Sequence, residues 1–281
     1  MKIGIVGLGL MGGSIALSLN QNNEIIAFDI NSDALSYAKT NKIIQEGTLN
    51  LELFFHNTKV VFICLYPHSI KEFLIKANPY IEPGTIIVEI SGVKSALISE
   101  LEQVQMPHYE LVYTHPIAGR EKKGVEFANP SIFLKANFVI VPVSRNTKET
   151  LAVVEMLATT MGFKNISYLS PLEHDNIIAY TSQLTHVISL ALVNSESNAF
   201  DTSKFIGDSY RDLTRISMIN EGLWSELFLS NKEFLLEKIE AFENYLDQYK
   251  NAMLTENREE LKRLMVDSRE KRLKIEKKNN S

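Results

Sequence analysis

The sequence is short of several things, and each shortage excludes something. It has one cysteine, Cys64, in 281 residues, so no internal disulfide can hold the fold. Cys64 lies in the apolar run Val60-Val-Phe-Ile-Cys-Leu65, which reads as a strand-core thiol rather than a nucleophile. No apolar stretch reaches membrane-spanning length, and Met1-Lys2 leads straight into an apolar run, so neither a span nor a cleavable signal is expected. Basic residues are outnumbered: 29 Lys and Arg face 34 Asp and Glu, and a formal net charge of −5 argues against nucleic-acid or membrane-surface binding. A cytoplasmic protein without a metal site is expected. What remains is ordinary globular material, 45% hydrophobic and 22% charged, long enough for two domains.

The first fourteen residues organise the rest. Ile3, Ile5 and Val6 form a short apolar run, Gly7-x-Gly9-x-x-Gly12 follows at once, and Ile15, Ala16 and Leu19 continue at helical spacing. This reads strand, tight turn, helix. Gly7 allows the turn, Gly9 lets backbone approach a pyrophosphate, Gly12 lets helix pack on strand, and the helix N-terminus offers N–H groups to phosphate. A second run, Glu24 to Asp29, ends in an acid 17 residues beyond Gly12, where a carboxylate accepts hydrogen bonds from ribose hydroxyls. Ile30, Asn31 and Ser32 supply no Arg for a 2′-phosphate, which selects NAD over NADP. The cofactor is expected to meet Gly7, Leu8, Gly9, Leu10, Met11, Gly12, Asp29 and, after the Lys59–Leu65 strand, Leu65.

Ser32 or Asp33 is expected to cap a helix through about Asn41, and further strands are expected at Thr85–Ile90, Leu111–Thr114 and Phe138–Pro142. Asn146 or Thr147 starts a helix that Gly162 ends. Strands alternating with helices predict a mostly parallel, doubly wound sheet, an α/β dinucleotide-binding (Rossmann) domain over residues 1–169. Composition changes at Ser170-Pro171-Leu172-Glu173, a helix start with Ser at N-cap, Pro at N1 and Glu at N3, and no convincing strand follows. Residues 170–281 are therefore expected to form an all-α domain whose helices wall a cleft at the carboxyl ends of the strands. Leu235, Ile239, Phe242, Leu246, Tyr249 and Met253 recur at steps of four and three, a seam for another helix within the chain or across a dimer.

Of six histidines, His56, His68 and His108 read as surface residues. His115 differs, because it follows the Leu111–Thr114 strand within Thr114-His-Pro-Ile-Ala-Gly119, where an imidazole can act as a base beside a nicotinamide. Asp175, Ser182 and His186, at offsets of 7 and 4, share one helix face, which reads either as solvent-facing or as a site wall. His174 reads as part of the helix start. Asp212 and Arg215 are three apart, either a surface ion pair or a guanidinium held ready for a carboxylate, and Trp224 reads as core or cleft lining.

Taken in order, the Gly-rich start, His-Pro-Ile-Ala-Gly at 115–119, His174-Asp175, Ser182 to His186, and Arg211-Asp-x-Thr-Arg215 with Trp224 resemble prephenate dehydrogenases from near residue 1 to about residue 270. The resemblance implies a dinucleotide-binding domain followed by a helical dimerisation domain, NAD as cofactor, prephenate or arogenate as substrate, and a homodimer. It implies that His115 is the catalytic histidine, that Arg215 grips the ring carboxylate, and that Ser182 and His186 line the substrate pocket. Glu121, Asp175, Asp212 and Trp224 match a supporting polar network around that arginine. One departure stands out: where the family often has Asp-x-x-Ser-Val-Lys, this chain has Glu89-Ile-Ser91-Gly92-Val-Lys94. Gly92 takes the serine's place, and Ser91 is the catalytic candidate only if its hydroxyl reaches His115. Two rivals are a 3-hydroxy-acid dehydrogenase, which would need a lysine that residues 171–199 do not contain, and a non-catalytic NAD sensor, which would bind cofactor without turnover.

Overall fold

The computed structural model describes residues 1–106, 108–119, 122–197 and 201–279. Among these, eight strands form one sheet: β1 (Lys2–Val6), β2 (Glu24–Phe28), β3 (Glu46–Thr48), β4 (Val60–Ile63), β5 (Ile86–Glu89), β6 (Glu110–Ile117), β7 (Asn137–Val141) and β8 (Asn165–Tyr168). Their spatial order is β3-β2-β1-β4-β5-β6-β7-β8. Every neighbouring pair is parallel except β6 and β7. The strands carry apolar side chains on both faces because helices cover both. Ile3, Ile5, Ile25, Ala27, Val60 and Phe62 are buried in one layer. Val6, Ile26, Val61, Ile63, Ile87 and Leu111 are buried in the other.

The crossovers are α1 (Leu10–Leu19), α2 (Ser32–Thr40), α3 (Leu51–Phe55), α4 (Pro67–Ala77), α5 (Ser95–Leu101) and α6 (Lys148–Met161). From β1 the chain winds outward through β2 and β3, then crosses back to lay β4 on the other side of β1. The carboxyl ends of β1 and β4 therefore diverge at a switch point, where sheets of this kind open a crevice. The cap of α2 differs from expectation: Asn31, not Ser32 or Asp33, accepts from the Asp33 and Ala34 N–H groups. Thr147 caps α6, and Gly162 ends it at φ 98°. The short strands β3 and β8 lie outside the sequence expectations. So does the extent of β6, which runs through His115 and Pro116 to Ile117 instead of ending at Thr114. Pairing with β7 draws it out, setting His115 opposite Val139.

After β8 come helices only, among the described residues: α7 (Pro171–Ile178), α8 (Leu184–Asn194), α9 (Asp208–Thr214), α10 (Glu221–Ser230), α11 (Lys232–Leu254) and α12 (Arg258–Asn279). Ser170 and Glu173 close the expected capping box at the start of α7. A π turn, Ala179–Gln183, joins α7 to α8. Within the resulting continuous helix, Pro171–Asn194, an 18-residue window has a mean hydropathy of 1.2, so the helix is long and apolar enough by composition to cross a membrane, contrary to the expectation from apolar runs. Its polar residues are spread along the helix, so no single run betrays it. Those same residues include the buried His174, Asp175, Gln183 and Ser189, and the helix serves as a wall of the site described below.

The chain divides into two compact units, Met1–Lys232 and Glu233–Ser281. The second consists of most of α11 and all of α12, and its Lys271 ammonium lies over the Tyr245 ring, 5.3 Å from its centroid. Along the expected seam, Phe242, Leu246 and Met253 are exposed in the single chain.

Candidate active site

A cavity of about 750 Å³ lies within the first unit, beyond the carboxyl ends of β1, β4, β5 and β6. The sheet supplies Gly9 to Gly12, Cys64 to Pro67, Ile90 to Gly92, and His115 to Gly119. The helices supply Ile178, Ser182, Gln183 and His186 from the long helix, with Leu223, Trp224 and Leu227 from α10. The switch point and the helical wall thus meet in one space.

On the β1 side, the backbone constrains two of the turn's three glycines and leaves the third open. Gly7 sits at φ 88°, and a Cβ there would come within 2.7 Å of the Cys64 carbonyl oxygen. A Cβ on Gly12 would be only 2.0 Å from the Gly7 carbonyl oxygen, so strand and helix could not pack. At Gly9 a Cβ would meet nothing within 4 Å: this backbone faces open space in the cavity wall. No side chain caps α1 and no acid lies in its first turn, so its N-terminal N–H groups and dipole are available to an anion. Asp29 accepts from Leu8 N at 2.6 Å and Asn31 N at 2.8 Å, which fixes the carboxylate at the end of β2. These features fit a dinucleotide. Leu10, Met11 and Leu65 line the cavity as expected, whereas the Leu8 side chain is buried in the core and contributes its N–H to hold Asp29. Burial pushes the Cys64 thiol up, so it stays protonated although it borders the cavity.

Across the cavity, His115 Nδ1 lies 2.9 Å from His174 Nε2. His174 Nδ1 lies 2.7 Å from Asp175 Oδ1. Asp175 also accepts from Lys94 N at 2.8 Å and Ser95 N at 2.7 Å, at the start of α5. An ionised carboxylate only accepts, so His174 Nδ1 carries a hydrogen and donates it. The neutral His174 then presents a lone pair at Nε2, His115 Nδ1–H donates to it, and the basic lone pair of His115 falls on Nε2. That atom lies 3.8 Å from where a Cβ on Gly92 would sit, on the cavity wall. The sequence thus places a proton acceptor in the cavity and fixes its tautomer from behind.

Electrostatics keep the two rings neutral. Burial lowers His115 well below its ordinary value of 6.5, and His174 and the Lys94 ammonium push the same way. Burial also lowers His174, against the opposing pull of Asp175. Burial alone would raise the Asp175 carboxyl, but the hydrogen bonds from His174, Ser95 and Lys94 bring it below its ordinary value. Beneath them, the wholly buried Lys94 ammonium donates to Glu89 Oε2 at 2.5 Å and to the Ser91 carbonyl at 2.7 Å. Asn231 Nδ2 donates to the Asp175 carbonyl at 2.9 Å and to Gln183 Oε1 at 2.8 Å, tying α7 to the end of α10.

Several sequence expectations change in this setting. Ser91 is not brought to His115: its hydroxyl donates to the Val93 carbonyl at 3.1 Å, and its N–H donates to Glu89 within the turn that holds Lys94. With the hydroxyl one residue early, the turn consumes it, and Gly92 faces His115 with no side chain at all. Ser91→Ala is accordingly expected to leave kcat unchanged; a large fall would put the hydroxyl back into the chemistry. Asp175 braces His174 rather than an arginine. Ser182 and His186 do line the cavity, with His186 Nδ1 donating to the Ser182 carbonyl at 2.8 Å and its ring stacked on Trp224 at 3.6 Å between centroids. Asp212 and Arg215 are exposed and do not line the cavity, although Ile216 and Met218 beside Arg215 do. Glu121 lies outside the described residues. Sequence reasoning gave no role to Lys94, Glu89, Gln183 or Asn231, and read His174 as a helix-start residue.

The chain is similar to known proteins over most of its length. The family model described as "Prephenate dehydrogenase, nucleotide-binding domain" matches residues 15–167. "Prephenate dehydrogenase, dimerization domain" matches residues 170–267. Prephenate dehydrogenase from Bacillus subtilis is 25% identical over 95% of this chain and 74% of its own. The structure of prephenate dehydrogenase from A. aeolicus in complex with hydroxyphenyl propionate and NAD+ is similar with a TM-score of 0.88 and 30% identity, covering 98% of each chain. Synechocystis arogenate dehydrogenase follows at a TM-score of 0.81 and 26% identity, over 98% of this chain and 100% of the other.

Proposed function

The chain belongs to the prephenate dehydrogenase family, and from that premise we propose that it catalyses the NAD-dependent oxidative decarboxylation of prephenate to 4-hydroxyphenylpyruvate, a step toward tyrosine. The observation that carries the reading is the His115 Nε2 lone pair, aimed into a cavity that also contains the open backbone of Gly9. Gly9, Gly12 and the α1 N-terminus would hold the pyrophosphate, and Asp29 the ribose hydroxyls; bound there, NAD+ supplies the hydride acceptor. His115 Nε2 takes the proton of the ring hydroxyl as the carbon bearing that hydroxyl is oxidised. Loss of the ring carboxylate as CO₂ then aromatises the ring, and the resulting phenolate takes the proton back from His115. The proton is borrowed, not consumed, and aromatisation makes the sequence one-way.

Ser182, His186 and Trp224 orient the ring in the cavity, and Arg215, exposed beside the lining residues Ile216 and Met218, would reach in from the rim to hold its carboxylate. Such positioning lowers the barrier before any proton moves. The enzyme acts as a soluble, cytoplasmic homodimer assembled through its helical domain, which would cover Phe242, Leu246 and Met253. Arogenate, with an amino group in place of the keto oxygen, is the second reading, favoured by the likeness to the Synechocystis enzyme. Steady-state comparison of the two substrates tests the choice: a higher kcat/KM for prephenate supports the first reading, and a higher value for arogenate replaces it.

Two further results are expected. NAD+ should be used far better than NADP+, because the Asp29 carboxylate repels a 2′-phosphate and no arginine follows it. Comparable kcat/KM values for the two cofactors would remove Asp29 from that role. Arg215→Lys should raise KM for prephenate at least about tenfold, since a charge-assisted hydrogen bond is worth ~1.5–3 kcal/mol and an ammonium lacks the planar fork. The Kd for NAD+ should hardly move. An unaltered KM would make Arg215 a surface residue only.

A further inference from the structure

The base of this site is not one imidazole but two in series. His115 from β6 and His174 from α7 are 59 residues apart in sequence, yet their facing nitrogens stand 2.9 Å apart. The far nitrogen of His174 ends on a carboxylate at 2.7 Å. That carboxylate is in turn fixed by two backbone N–H groups at the start of α5. His174 and Asp175 are 0% and 1% exposed, so no water competes for these bonds.

We propose that His174 is a positioning residue that also takes up the charge of the base. When His115 Nε2 gains a proton, the Nδ1 proton of His115 passes to His174 Nε2, and the imidazolium forms on His174 against Asp175. The balance is simple: an Nε2–H bond forms on His115, its Nδ1–H bond breaks, and an Nε2–H bond forms on His174. One proton enters the pair and one positive charge is gained. His115 ends neutral with its tautomer reversed, and the charge sits one ring further from the cavity. The other charged groups facing the pair favour this division. Lys94 and Glu89, from the β5–α5 turn, form a buried ion pair that cancels most of its own field. Asp175 is the one anion hydrogen-bonded to either ring among the described residues, and it touches His174, not His115. A cation on His174 is thus directly neutralised, whereas one on His115 is not.

The inference rests on His115 as the base, but its test needs neither prephenate nor NAD+. In full-length protein labelled with ¹⁵N-histidine, NMR at neutral pH should give His115 and His174 both as Nδ1–H tautomers, assigned from His115→Asn and His174→Gln. On acidification the bare nitrogens of both rings should move together through one midpoint below pH 6.5. Movement of His115 alone, with His174 unchanged, would overturn the proposal. His174→Gln separates orientation from charge uptake, because its side-chain oxygen can accept from His115 Nδ1–H but cannot be protonated. With prephenate it should lower kcat about 10- to 100-fold with little change in KM, and move the acid limb, which reports the pair and not His115 alone. Wild-type kcat and limb in that variant would overturn the proposal. If His174→Gln fails to fold, the wild-type titration alone decides. Absence of turnover with prephenate alongside the joint titration would count against the substrate, not against the pair.

Discussion

Replacing His115 by Asn should lower kcat by about 10²–10⁴-fold, the usual contribution of a positioned general base. The amide keeps some polarity and size but cannot accept a proton near neutral pH, so folding and the Kd for NAD+ should survive. The pH profile carries a second signature. His115 is held well below 6.5 by burial, by His174 and by Lys94, so the wild-type acid limb should fall below pH 6.5 and vanish in the variant. His186→Asn is the control: His186 lines the cavity with its Nδ1 donating to the Ser182 carbonyl, so it should disturb KM and leave the limb in place. Near-normal turnover in His115→Asn, or loss of the limb in His186→Asn, would assign the base to the wrong histidine. The same lowered values affect stability. Between 6.5 and the folded-state values, the unfolded chain binds more protons than the native one. Stability from this source is therefore complete above about pH 6.5 and is lost as pH falls toward those values.

Lys94→Met should be the most destabilising single change near the site. Lys94 and Glu89 are both 0% exposed and meet at 2.5 Å. Removing the ammonium leaves a buried carboxylate with only the Ser91 N–H beside it, and breaking a buried pair from one side costs about 3–5 kcal/mol. For a unit of this size that corresponds to a fall of roughly 10 °C in Tm. The double variant Lys94→Met, Glu89→Leu should recover much of the loss, because it removes the stranded charge as well. Thermal unfolding measures both. A Lys94→Met variant as stable as the parent would mean that the pair is hydrated and contributes nothing.

What the sequence makes legible here is local. The Gly7–Gly12 turn, the Ser170 capping box and the Gly162 helix end each depend on residues within a few positions, and each forms as its residue types require. Alternating strands and helices are enough to expect the doubly wound sheet. What escapes is whatever depends on two distant segments meeting. Nothing near His174 in sequence announces His115, and Lys94 looks like any solvated lysine until β5 and α5 bury it against Glu89. Ser91 shows the reverse failure. A hydroxyl one place away from the family position looks close enough in sequence, but a turn reverses direction within a residue and commits that hydroxyl to Val93. His115 lies inside β6 and not after it because β7 pairs with it there, and a partner strand 22 residues further on cannot be read from the histidine's own neighbours.

The central claim is that this cavity couples oxidation to decarboxylation. The most direct measurement mixes the purified protein with NAD+ and prephenate and follows NADH, CO₂ and 4-hydroxyphenylpyruvate together. The account predicts that all three appear at equal rates and in equal amounts, that the rate falls about 10²–10⁴-fold in His115→Asn, and that omission of NAD+ abolishes every product. Binding of NAD+ with no NADH formed from prephenate or arogenate would contradict it and leave a cofactor-binding protein without this chemistry.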